Sequence, residues 1–121
     1  MNAGTEKRRH PRIPIWWPVV LMPPNGPIMG TLRNISVSGA LISCSEPIEN
    51  KNEFLIILKS PKGHEMPITC KKVWSVKKFV GDSDYDAIGL LFTKISTGIQ
   101  NFIASLVAEN SPSFANLKLT P

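Results

Sequence analysis

Two stretches of the chain alternate with a period of two, and others are short apolar runs, among them Phe54-Leu55-Ile56-Ile57-Leu58, which reads as a fully buried strand. Ile13, Ile15, Trp17, Val19 and Leu21 alternate with Pro14, Trp16, Pro18 and Val20, the pattern of a half-buried strand. The prolines cannot donate ladder hydrogen bonds, so an edge or irregular strand is expected there. Pro23-Pro24-Asn25-Gly26-Pro27 signals a turn. Further strands are predicted from Ile28 to Arg33, Ala40 to Ser43, Glu53 to Lys59 and Tyr85 to Phe92, and one in which Met66, Ile68 and Cys70 alternate with polar neighbours. Turns or polar breaks are expected at 34–39, 47–52, 60–63 and 81–84. The alternation slips at Lys71-Lys72 before Val73-Trp74, as a β-bulge or a bend would make it slip. Gly89 inside a strand suggests a close backbone approach or a corner.

The period changes once. Ile99, Phe102, Ile103, Leu106 and Val107 form one helical stripe. Ser96 or Thr97 can cap it, and Asn110-Ser111-Pro112 ends it. About six short strands and one helix predict a mainly β fold, a small six-stranded antiparallel β-barrel with one C-terminal α-helix. The expected division is a flexible basic arm over 1–12, the barrel and helix over 13–110, and a tail over 111–121.

With 121 residues, 42% of them hydrophobic, the chain can bury one core. No apolar run reaches the roughly 18 residues of a spanning helix, and no apolar stretch follows the first charges as in a secretory signal. A cytoplasmic protein without membrane insertion is expected. The net charge of +5 is concentrated: residues 1–12 hold Lys7, Arg8, Arg9 and Arg12 against Glu6, and the remainder is nearly neutral. Such a distribution suits a small anion held at one place better than a long nucleic-acid backbone.

Catalytic machinery is not apparent. His10 falls in the arm and His64 in a predicted turn, with no nucleophile elbow and no phosphate loop. Asp82, Asp84 and Asp86 read as a solvated acidic loop. Cys44 and Cys70 lack the spacing of a metal site and read as buried thiols. We expect no enzyme, no metal and no cofactor.

Two motifs remain. Arg8-Arg9-His10-Pro11-Arg12 places Arg8 and Arg12 four residues apart, roughly 13 Å in extended backbone. Their planar forks suit phosphate or a guanine edge. Asn34-Ile35-Ser36-Val37-Ser38-Gly39 can fold side chains onto backbone amides in a tight turn, and Gly39 can adopt positive φ or admit a ligand close to the backbone.

In this order, R-x-x-x-R followed by N-x-S-x-x-G resembles the PilZ domain family of bacterial cyclic di-GMP receptors. The resemblance covers about Lys7 to Val107 and extends to Lys72-Val73-Trp74-Ser75-Val76 and Ala87-Ile88-Gly89-Leu90-Leu91-Phe92. It implies a non-catalytic receptor that binds cyclic di-GMP and relays it to an unidentified downstream protein. Arg8 and Arg12 would clamp guanine edges and phosphates, with Arg9 assisting. Asn34 and Ser36 would hydrogen-bond the ligand, and Gly39 would leave room for it. Ligand would fold the arm onto the barrel. Two alternatives are a nucleic-acid-binding small barrel that uses Trp16, Trp17 and Trp74, and a PilZ-like interaction module without ligand. Core packing is the expectation for Trp17 and Trp74.

Overall fold

A computed structural model describes residues 12–49 and 52–110. Seven strands form one antiparallel sheet: β1 (Ile13–Pro14), β2 (Pro18–Met22), β3 (Ile28–Ile35), β4 (Gly39–Cys44), β5 (Phe54–Lys59), β6 (Glu65–Val80) and β7 (Ser83–Lys94). Helix α1 (Thr97–Asn110) follows. The strand order is β1-β3-β2-β5-β6-β7-β4, and the β3–β4 pairing closes it. Six strands thus make a closed barrel, as the periodicity predicts, and β1 is a short addition beside the end of β3.

Period-two alternation fills the barrel. Val19 and Leu21, Leu32 and Ile35, Ala40 and Ile42, Phe54, Ile56 and Leu58, Met66 and Ile68, and Ile88 and Leu90 are buried in one cluster with Cys44 and Cys70. Ile48 enters the same core from the β4–β5 connection, and the Lys72 ammonium donates to its carbonyl. One end is covered by α1 through Ile103 and Val107. The Ser96 hydroxyl accepts from the Ile99 amide at 3.1 Å, so Ser96 is the N-cap.

Four expectations are corrected. The stretch from Ile13 to Leu21 is not one strand. It breaks over Ile15–Trp17, between Pro14 and Pro18, which have no N–H to give. Strand β3 runs past Arg33 to Ile35, so Asn34 lies on a strand and only 36–38 form the connection to β4. The β6–β7 ladder continues to Val80↔Ser83, leaving Gly81-Asp82 as a two-residue turn with Gly81 at φ 61°. That left-handed first position is the one glycine takes without strain. Finally, Asp86 does not belong to a solvated loop. It is 5% exposed, opposite Cys44 and Lys77 on the two flanking strands, and its carboxylate lies 3.5 Å from the Lys77 ammonium.

The expected irregularity in β6 is present as a register shift between Lys72 and Trp74. Another, between Leu32 and Asn34 in β3, was not anticipated.

Candidate functional site

The second motif is built at the β3–β4 connection. The Ser36 amide donates to the Gly39 carbonyl at 2.9 Å, and the Ser38 amide donates to the Ser36 hydroxyl at 3.2 Å. The Ser36 and Ser38 hydroxyls lie 3.2 Å apart. Ser36 is 1% exposed, so its hydroxyl holds the turn together from inside. Gly39 has no positive φ. Its constraint is a close approach, because a Cβ there would stand 2.3 Å from the Leu90 carbonyl oxygen of β7.

The first motif reaches the second through β1. Ile13 pairs with Ile35 and Pro14 with Asn34, so the chain just before β1 runs alongside the turn. There an Arg12 Nη1 donates to Asn34 Oδ1 at 3.4 Å. Arg8 and Arg9 lie outside the described residues. Arg12, Asn34, Ser36 and Gly39 are therefore close together, with Arg12 and Asn34 in contact and Ser36 and Gly39 forming the frame.

One row of cross-strand partners leads away from Asn34 across the barrel wall: Asn34↔Leu41, Leu41↔Gly89 and Gly89↔Trp74. Three steps of about 4.8 Å span roughly 14 Å. Gly89 carries no side chain, and the Trp74 indole covers it, where any Cβ would stand 2.2 Å from Trp74 Nε1. The close approach expected at Gly89 is thus observed. Trp74 itself is a correction: it is 44% exposed on the outside rather than packed in the core. Trp17 does pack against the core, with its ring 6.2 Å from Phe102 of α1.

Sequence reasoning passed over Arg33. It sits at the β3 irregularity beside Asn34. Its guanidinium lies 4.2 Å from the Trp16 ring centroid and 5.9 Å from that of Tyr85. An Arg33 Nη1 donates to Ser43 Oγ at 2.8 Å. The only signal was adjacency to Asn34, since strict alternation would not put neighbouring side chains to use on one surface. Among the described residues, no group of His, Cys, Asp and Glu is arranged to hold a metal ion, and no helix is long and apolar enough to cross a membrane.

Residues 6–109 of the chain match the model of one family, the PilZ domain. The chain belongs to the PilZ domain family. Solved structures of similar fold include the PilZ domain of Escherichia coli YcgR with c-di-GMP, at TM-score 0.72 and 11% identity over 95% of this chain and 99% of that one. The K. pneumonia MrkH–c-di-GMP complex gives TM-score 0.70 at 16% identity, over 95% and 56%. The Bacillus subtilis inhibitor of motility gives 0.67 at 14%, over 83% and 48%. This PilZ domain thus spans about half the length of the last two. No curated protein matches the chain.

Proposed function

We propose that this PilZ domain is a non-catalytic receptor for cyclic di-GMP. The observation that carries the reading is the Arg12–Asn34 contact, which joins the two motifs on one end of the barrel. Support comes from the neighbours of similar fold, among which the YcgR PilZ domain and MrkH are complexes with c-di-GMP. In this reading Arg8 and Arg12, assisted by Arg9, supply charge and planar forks to phosphates and guanine edges. Asn34 offers an amide to the ligand. Ser36 and Gly39 contribute by fixing the turn that presents Asn34. The occupied receptor, placed in the cytoplasm, would be recognised by an unidentified downstream protein.

Isothermal titration with cyclic di-GMP, with GMP as control, tests the reading. Binding is expected for cyclic di-GMP, and Arg12→Ala should weaken it by roughly 10- to 150-fold, the loss of one charge-assisted hydrogen bond of about 1.5–3 kcal/mol. Absence of binding to the intact chain would overturn the reading. The exposed Trp16 and Trp74 favour one second reading, a stacking surface for single-stranded nucleic acid. A salt-dependent shift with random oligonucleotides, without response to cyclic di-GMP, would select it.

A further inference from the structure

Arg12, Pro14 and Trp16 share one parity along the chain, and burial follows it: Ile13 is buried and Ile15 and Trp17 are half-buried, whereas Pro14 and Trp16 are exposed. Trp16, four residues from Arg12, therefore stands on the outer surface roughly 13 Å along the same extended segment. Its neighbours are anchored. The Ile15 amide donates to the Arg33 carbonyl at 3.0 Å, and the Leu32 amide donates to the Trp17 carbonyl at 2.8 Å. The indole is then held by Arg33, whose guanidinium lies 4.2 Å from its centroid. Ser43 fixes that guanidinium through Nη1, and its Nε is buried without a hydrogen-bond partner. Among the described residues no carboxylate forms an ion pair with Arg33; nearby Asp84 is the partner of Lys77.

Trp16 remains 62% exposed although one face rests on a cation. A tryptophan that served only to cover Arg33 would gain from burial of its second face as well. Instead an ordered, flat ring is offered to solvent next to Arg33 and Asn34. The cation below it removes the rotational freedom that a stacking partner would otherwise have to remove.

We propose that Trp16 is a stacking platform for one guanine base of the cyclic dinucleotide and that Arg33 is its positioning residue. The proposal rests on the receptor reading above. It places one base against the outer face of Trp16 while Arg12 and Asn34 engage the neighbouring phosphate or guanine edge. No rearrangement of the barrel is required, since the face of the ring is already open.

The test is titration of the full chain with cyclic di-GMP by calorimetry, alongside the tryptophan indole N–H resonances. Trp16→Ala should weaken binding by roughly 5- to 150-fold, the range for removal of a base-stacking aromatic, and Trp16→Phe should retain most of the affinity. Arg33→Met should give an intermediate loss with the melting temperature kept, and a smaller ligand-induced shift of the Trp16 indole resonance. If the intact chain does not bind, both the receptor reading and the platform fall. If it binds and Arg12→Ala weakens it, but Trp16→Ala does not and the Trp16 resonance stays still, only the platform is overturned. Should Trp16→Ala not fold, the Trp16 resonance of the intact chain decides: a shift on titration supports the platform and a static signal refutes it.

Discussion

Gly39 and Gly98 show how differently two glycines act in this chain. At Gly39, an added Cβ meets backbone of β7 at 2.3 Å, and backbone cannot rotate away as a side chain can. Gly39→Ala should therefore destabilise the fold by about 1–3 kcal/mol, as overpacking does, and lower the thermal midpoint. Gly98, in the first turn of α1, has open space around it. Gly98→Ala should be neutral or stabilise by up to about 1 kcal/mol. Both are read from thermal and urea unfolding. The sequence offered Gly39 as part of a ligand motif, and the packing reason was not visible in it. The reason belongs to β7, some fifty positions away. Gly89 was legible as a close approach, but not that Trp74 would be what approaches. Arg33 was missed for a similar cause: the irregularity beside it changes which surface the side chain reaches, and local alternation does not show that.

At the scale of elements, α1 was legible because its stripe, its cap and its stop are all local. Ser96→Ala removes the hydroxyl that accepts from the Ile99 amide. It should cost about 1 kcal/mol of stability and leave ligand affinity unchanged, since Ser96 accepts from the Ile99 and Gln100 amides of α1 and not from a motif residue. Far-ultraviolet circular dichroism with urea titration checks the first part, and calorimetry the second. The β6–β7 hairpin was only half legible. Its outer portion, with Phe79 and Val80 exposed, lacks the alternation that burial imposes, so the sequence predicts no strand over 77–80 and a turn as wide as 81–84. Cross-strand pairs hold it as a ladder instead, among them Lys77 with Asp84 and Asp86.

The whole barrel sets the environment of the two free cysteines. Burial, and next the Asp86 carboxylate, pushes the Cys44 thiol up to about 11. Burial, and next Glu53, pushes Cys70 up to about 12. An ordinary thiol titrates near 9.0, so below that pH both folded and unfolded chains are protonated and the stability is intact. Above it the unfolded chain loses thiol protons first, and stability falls as pH rises toward 11 and 12. Urea unfolding on either side of pH 9 should show this decline, and a Cys44→Ala, Cys70→Ala double variant should show a shallower one. At neutral pH both thiols of the folded protein should react slowly with alkylating reagents.

Periodicity alone determined the mainly β class, the number of barrel strands and the terminal helix, because burial of one face is written as a local repeat. Residue types alone determined which side chains carry chemistry for a phosphate or a guanine. Tertiary structure decided what stands beside what: that β1 lays Arg12 on Asn34, that Gly39 accommodates a neighbouring strand, and that Trp16 lies on Arg33 while Trp74 crosses Gly89. Those juxtapositions depend on strand order and register, which arise from closing the barrel and have no local signature in the chain.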